Sequence, residues 1–411
     1  MRRIFCILLA LGIYTQFTFG QAGAVDSLHN LLGKSENSEK VEILIQISEI
    51  FKGVNIDSAV QYANRAISLS DRLSDEELMA NSNFNLAKIL IKNYESDAAL
   101  EFIEKAEEYY LQSGNLRKQA ELYNSMSLIY YDKLDYTKSL ELTEKALSIG
   151  PKAGSMEEMA QAYFYMANIY NRLSDSEKSL ESYLKALEIR RDLEDSDKIA
   201  GILNNIGGYY SSRADYTNAI VYYNQALEIR RELGEKKPIG IVLSNLGNQY
   251  VQIGESDIAI EHYREASEIF KEIEFKRGTS ATLTGMAIIY EGLFQYSSAL
   301  EVYKEVLEIA KQDNNDFEQG NTLSNIAITY SKMFNDSLEQ LYGINFQDSV
   351  LNNDVKPDFE SGRQAIRYNL EALNIRKEIG DMPTRRYPNG CCSHGRPFTV
   401  PRFKKARTTA I

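Results

Sequence analysis

The chain has 411 residues, 44% of them hydrophobic and 25% charged, with a net charge of −12 and 3 cysteines. That length and apolar content suffice for an extensive core, and the acidic balance works against nucleic acid and anionic membranes by plain repulsion. So few cysteines exclude a disulfide-built scaffold.

Met1-Arg2-Arg3 followed by the apolar run Ile4–Ile13 is too short for a membrane anchor. It reads as a secretory signal peptide over 1–20, cleaved before Gln21. Cys6 lacks the small-residue setting of a lipid attachment site, so a secreted or periplasmic chain is expected, with no membrane insertion beyond the cleaved leader. Setting aside Arg2, Arg3 and the seven cations of residues 382–411 takes the net charge from −12 to −21 for residues 21–381.

Residues 21–35 are polar and predict a lead-in helix. A repeat then governs the sequence. Tyr130, Tyr170, Tyr210, Tyr250, Tyr290 and Tyr330 are spaced 40 apart, and a period in this range signals a solenoid. Three residues before each stands Ser127, Ala167, Gly207, Gly247, Ala287 or Ala327; sixteen after stands Ala146, Ala186, Ala226, Ala266 or Val306. Small residues there let paired helices approach closely, with the column tyrosine expected to fill the gap between hairpins.

Within residues 196–235, Ile202, Ile206 and Tyr210 share one helical stripe, and Ala219, Ile220, Tyr223, Ala226 and Leu227 form a second. Ser211–Asp215 breaks the pattern between them, and Gly234 ends the second helix. Each copy is thus a helical hairpin that buries its apolar faces only against neighbours. The copies are 36–75 (degenerate, with Ile50 in the tyrosine column), 76–115, 116–155, 156–195, 196–235, 236–275, 276–315 and 316–381. Gly114-Asn115 and Gly150-Pro151 mark helix ends, and Pro238 marks a helix start.

Leu243, Asn245, Leu246, Gly247 and Tyr250 in one first helix, with Ala219, Ile220, Tyr223, Ala226 and Leu227 in a second, resemble the tetratricopeptide repeat in its 40-residue variety. The resemblance covers roughly residues 36–381. It implies an all-α fold, a right-handed superhelical solenoid of antiparallel helix hairpins with about eight repeats. The leader followed by repeats is also similar to the N-terminal extracytoplasmic part of bacterial signalling proteins of this family.

In the last copy the second helix arrives 26 residues late, so an insertion is expected over 336–361, carrying Tyr342, Phe346 and Phe359. It is either a tolerated surface loop or a segment folding onto a binding face. Residues 382–411 lose the repeat and hold no acid. Two readings stand for this tail: a basic arm for nucleic acid or anionic lipid, or sequence out of frame with the array. Reading the permitted codons of Tyr387 to Pro401 one base later gives a repeat-like string.

No catalytic constellation is present: His29 and His262 are isolated, no nucleophile has a partner set, and no strand precedes a glycine-rich loop. Cys391, Cys392 and His394 lack metal-ligand spacing, so neither metal nor cofactor is expected. Arg190-Arg191 and Arg230-Arg231 close second helices, where cations offset the helix dipole. The chain reads as a non-catalytic protein–protein interaction scaffold. The alternative is the sensory front of a membrane-anchored signalling protein with a nucleotide cyclase, histidine kinase or DNA-binding output.

First helices line the concave face of such a solenoid, and their outward positions are the candidate peptide-binding groove: Asn85, Asn168, Asn171, Arg172, Asn204, Asn205, Asn245, Asn248, Gln252 and Asn325. A side-chain amide both donates and accepts, so a row of them suits the backbone of an extended segment. Related arrays use the column of Asn85, Asn205, Asn245 and Asn325 as an asparagine ladder, which Ser125, Tyr165 and Gly285 interrupt here. The expected partners are protein or peptide segments and not nucleic acid, and the array also offers a surface for self-association.

Overall fold

The computed structural model describes residues 19–342 and 359–379. Seventeen α-helices and no strand occur among the described residues. The chain divides into two compact units, Met1–Asp195 and Ser196–Ile411.

In the first unit α1 (Phe19–Lys34) precedes four hairpins: α2 (Asn37–Phe51) with α3 (Ile56–Leu73), α4 (Glu76–Lys92) with α5 (Ser96–Gln112), α6 (Leu116–Asp132) with α7 (Tyr136–Ala153), and α8 (Met156–Arg172) with α9 (Ser176–Asp192). The second unit holds α10 (Ser196–Ser212) with α11 (Tyr216–Leu233), α12 (Lys236–Ile253) with α13 (Ser256–Glu272), α14 (Lys276–Gly292) with α15 (Tyr296–Gln312), and α16 (Asp316–Tyr342) with α17 (Phe359–Glu378). Each helix of a pair packs on its partner, and each hairpin on the next within its unit.

The turn inside a hairpin is written in the repeat. The carbonyl of a column tyrosine accepts from the backbone five residues on: Asp135 N to Tyr130 O at 2.9 Å, Asp175 N to Tyr170 O at 2.9 Å, Asp215 N to Tyr210 O at 3.0 Å. The residue between turns left-handed, and it is Leu134, Ser174 or Ala214 as well as Gly254. Asp135, Asp175 and Asp215 then cap the second helix by accepting from Lys138, Lys178 and Asn218 N. Burial of the faces on either side therefore overrides the preference for glycine at most of these turns.

Second helices bury Ala59, Ala99, Ser139, Ser179, Ala219, Ala259 and Ala299 completely, and seven residues later Ala66, Ala106, Ala146, Ala186, Ala226, Ala266 and Val306. Between them stand Tyr183, Tyr223, Tyr263 and Tyr303, all buried. These rings, and not the column tyrosines, fill the close approaches. A Cβ on Gly207 would lie 2.8 Å from the Tyr223 ring and one on Gly247 2.8 Å from Tyr263. The column tyrosines are half-buried and stack within their own hairpin, Tyr210 on Tyr222 at 5.4 Å and Tyr250 on His262 at 5.2 Å. The small residue three before the column serves contact inside a hairpin, as expected, whereas Tyr210 and Tyr250 stack within their own hairpins, which corrects the expectation that the column ring fills the gap between hairpins.

Two boundaries differ in detail. Helix α7 continues through Gly150 and Pro151, and Gly154 makes its left-handed cap. Gly150 is instead the site where a Cβ would meet Met159 Cγ at 2.3 Å. Helix α16 runs on to Tyr342, so part of the expected insertion extends a first helix. The side chains of Tyr342, Phe346 and Phe359, residues 1–18 of the leader, and the tail lie outside the described residues.

Candidate binding face of the first helices

In the second unit Asn245 on α12 donates its amide to Asn204 Oδ1 on α10, at 3.0 Å. Both are half-buried, as is Asn205. Gln249, one turn on from Asn245, is buried and donates to the Asn245 carbonyl at 3.1 Å, while its own Oε1 has no partner. Gln252 and Asn325 are half-buried. Asn248 faces inward and accepts from the Tyr263 hydroxyl at 2.5 Å. Gly285 interrupts the row because a Cβ there would lie 2.9 Å from the same Tyr263 ring.

In the first unit Asn85 is buried and donates to Ser48 Oγ on α2 at 2.6 Å. Asn168 accepts from the buried Tyr183 hydroxyl at 2.5 Å. Arg172 is exposed and donates to Tyr131 Oη at 2.9 Å, and Asn171 is half-buried. Ser125 folds back onto the Glu121 carbonyl at 2.9 Å. Burial pushes the Tyr165 hydroxyl up to about 12.

The ten residues therefore do not form one open ladder. Asn85, Asn168 and Asn248 hold the interior together, Asn204 and Asn245 bridge neighbouring first helices, and Arg172 is tied to Tyr131. Asn171, Asn205, Gln252 and Asn325 stay half-buried on their first helices.

An ionic chain was missed by the amide search. Lys88 on α4 reaches Glu49 on α2 at 3.1 Å and Glu121 on α6 at 3.2 Å, and Lys118 adds to Glu121 at 2.8 Å. Burial works to raise the Glu49 and Glu121 carboxyls, and the lysines outweigh it, holding both below the ordinary range. Burial likewise works to lower Lys88, and the two carboxylates outweigh it and raise it. On α6 Asn124 donates to the Glu158 carboxylate at 3.0 Å, yet burial keeps that carboxyl above its usual value. In the second unit Glu291 accepts from Lys332 at 2.5 Å and from Thr329. Apart from Lys118–Glu121, these pairs lie 33 to 41 residues apart, so a search at the repeat spacing, give or take two helical turns, would have found them.

The arginines that close second helices do more than offset a dipole. Arg190 is buried and bonds Asp195 at 3.0 Å and Gln161 at 3.4 Å. Arg230, 40 residues later, bonds Asp197 at 2.5 Å and Glu235. Each ties the end of a second helix to the following turn and to its own first helix.

Among the described residues no group of His, Cys, Asp and Glu could hold a metal ion, and no helix is long and apolar enough to cross a membrane. His29 bonds Tyr62 Oη at 2.8 Å and His262 is the stacked ring described above. Cys391, Cys392 and His394 lie outside the described residues.

Comparison with known proteins places these hairpins. A model described as Tetratricopeptide repeat matches residues 158–232 and 238–312, and one described as SusR N-terminal TPR domain matches 16–152. No curated protein matches the sequence. A Signal Transduction ATPase with Numerous Domains from Pyrococcus horikoshii, with a tetratricopeptide repeat sensor, is similar in structure. It has TM-score 0.61 and 18% identity over 89% of this chain and 54% of its own, so this chain spans about half its length. The apo form of RapI gives TM-score 0.59 at 16% identity, covering 83% of this chain and 99% of RapI. A Rap protein complexed with Competence and Sporulation Factor gives 0.50 at 16%, covering 84% and 99%. At these identities the likeness is one of fold. With two repeat models matched across both units, the chain belongs to the tetratricopeptide repeat family.

Proposed function

We propose that the chain is a non-catalytic protein–protein interaction scaffold that holds an extended segment against the first helices of its second unit. The observation that carries this is the Asn245–Asn204 bond, which ties neighbouring first helices by half-buried amides. One bond uses one acceptor and one donor, so the Asn204 amide hydrogens and the Asn245 oxygen keep capacity for a bound backbone. Two amides from consecutive helices then offer a donor and an acceptor side by side, the pairing an extended peptide requires. A Rap protein of the same fold with Competence and Sporulation Factor bound supports the reading. The expected export places this binding in the periplasm or outside the cell, with protein segments as partners.

The test pans a displayed peptide library over the full chain and compares recovered peptides on the parent and on Asn204→Ala plus Asn245→Ala. Losing two to three hydrogen bonds of roughly 0.5–1.5 kcal/mol each weakens binding by roughly fivefold or more. Equal binding by the double variant would remove the amide pair from the site.

A further inference from the structure

Glu158 stands in the first turn of α8, three residues after Ser155, and a serine and a glutamate at this spacing ordinarily close a capping box. Here neither half of the box forms. Ser155 Oγ has no partner, and the Ser155 N–H donates to Gly150 O at 3.2 Å. The Glu158 carboxylate turns to α6 instead. There Asn124 gives one amide hydrogen to its carboxylate and the other to its backbone carbonyl, each at 3.0 Å.

This arrangement leaves acceptors without a positive partner. Asn124 is 3% exposed, and with both hydrogens spent its Oδ1 is buried and unpartnered. Glu158 is 9% exposed, and no Lys, Arg or His pairs with it among the described residues. Arg117 pairs with Glu157 at 3.3 Å, and Arg190 with Asp195 at 3.0 Å. The other acids along these first helices are treated differently: Glu49 is shared by Lys52 and Lys88, and Glu121 by Lys88 and Lys118. Burial works against all three carboxylates, and of the three it prevails at Glu158 alone.

The repeat shows what is missing. Lys118 holds the place of Glu158 one copy earlier and Lys198 one copy later, while Phe84 and Phe164 hold the place of Asn124. An acid and an amide therefore stand where the flanking copies put a cation and a ring. We infer that the Asn124–Glu158 pair is a binding site for a primary ammonium group carried by a bound protein segment. Its hydrogens are shared between the Glu158 carboxylate and Asn124 Oδ1, as Lys88 is shared between Glu49 and Glu121. A compact ammonium on a flexible stem suits so narrow an opening, whereas a guanidinium needs room for its planar fork. The acidic balance of the chain favours approach by a basic segment. The site lies in the first unit and uses neither Asn204 nor Asn245, so its test stands apart from that of the amide pair.

The probe is a short glycine peptide with one central lysine, blocked at both ends and titrated against the full chain by saturation-transfer NMR. Saturable binding is expected, and acetylating the lysine side chain should abolish it. A lysine-free glycine peptide with a free amino terminus tells the two sources of ammonium apart: binding by it in place of the first assigns the group to a chain terminus. Glu158→Gln and Glu158→Lys should each weaken binding by more than roughly tenfold, the first by removing the charge and the second by filling the site with its own ammonium. Glu158→Lys also installs the residue that the repeat carries at 118 and 198, and thermal melting confirms that each variant is folded. Glu104→Gln, the same change of charge at an exposed position on α5, binds as the parent does. No saturable binding by either amine, or binding that Glu158→Gln leaves unchanged, overturns the proposal. So does an equal loss in Glu104→Gln, since the attraction would then belong to the acidic surface as a whole.

Discussion

The Tyr263 hydroxyl donates to Asn248 Oδ1 at 2.5 Å, and the same ring lies against the Cα of Gly247. One buried side chain thus dictates two neighbouring positions of the opposing first helix, one by shape and one by hydrogen bonding. In the hairpin before, Tyr223 lies against Gly207 in the same way, and Gly208 occupies the place of the asparagine, with a Cβ 3.6 Å from the hydroxyl.

Gly207→Ala is expected to destabilise the second unit by roughly 1–3 kcal/mol, because the new Cβ would sit 2.8 Å from two Tyr223 ring carbons. The glycine's own helix cost, about 1 kcal/mol relative to alanine, works in the opposite direction and is the smaller effect. Tyr223→Leu alone loses burial, and in the double variant the clash is gone. Denaturant melts of the four proteins therefore give a coupling energy of stabilising sign. Additive losses would show that Gly207 meets something other than Tyr223.

Asn248→Ala leaves the Tyr263 hydroxyl without its partner in a buried site, at a cost of about 1–3 kcal/mol. Tyr263→Phe removes the group that needs satisfying, so Asn248→Ala costs less in that background. Asn205→Ala, at a half-buried position, serves as the comparison and shifts the melting midpoint least. Equal shifts for Asn205→Ala and Asn248→Ala would contradict the division of the amides into interior and face.

The hairpins were legible because their signal is repeated: the 40-residue tyrosine spacing and the columns of small residues each recur down the chain. The roles of individual amides were not. Asn204, Asn205 and Asn248 are all outward-type residues on first helices, and sequence cannot tell which one meets a hydroxyl from the facing helix. That depends on Tyr263 being a tyrosine fifteen residues later. The arginine column shows the same limit. Arg190 and Arg230 read as surface cations by type, and burial emerges only from the acids five residues on and on the first helix. The ionic chain through Lys88 was hidden because its three carriers lie on three successive hairpins.

That chain gives a pH signature. Glu49 and Glu121 are held below the ordinary carboxylate range, so their contribution is present above pH about 4.5 and is lost as pH falls through the lowered values. Lys88 is raised, so its contribution is present below about 10.5 and is lost as pH rises through the raised value. Glu158 runs the other way: its raised carboxyl weakens the fold as pH climbs from about 4.5 through the raised value. Lys88→Met leaves Glu49 only Lys52 and Glu121 only Lys118, and losing the shared lysine should cost roughly 1–3 kcal/mol at neutral pH. Acidification protonates both, so the deficit should shrink in urea melts at low pH. A deficit independent of pH would mean that the lysine stem, and not its charge, is what matters.

Arg230 offers the sharpest contrast between charge and geometry. Its guanidinium bonds the Asp197 carboxylate at 2.5 Å, the Asp197 carbonyl at 3.0 Å and Glu235. A planar fork can serve these acceptors at once, whereas an ammonium is a compact point charge on a flexible stem. Arg230→Lys should therefore keep the net charge and still lose about 1.5–3 kcal/mol, the range of one charge-assisted bond. Arg230→Phe is the more instructive change, because Phe270 occupies this place one hairpin later. There the ring is accommodated by Gly240 and Gly278, where a Cβ would lie 2.5 and 2.7 Å from it. At Arg230 the place of Gly240 is taken by the buried Ala200, so a ring there meets a side chain that Phe270 does not. What the ring cannot do is neutralise Asp197 and Glu235. Burial works to raise the Asp197 carboxyl, and Arg230 with Lys198 outweighs it and holds it low, so removing Arg230 should let that carboxyl rise. Arg230→Phe is expected to be the less stable variant at pH 7 and to approach Arg230→Lys as both acids protonate. Melting series of the two proteins from pH 7 to pH 4 follow this directly. If they run parallel at every pH, the arginine is held by packing of its stem, and the clamp is not electrostatic.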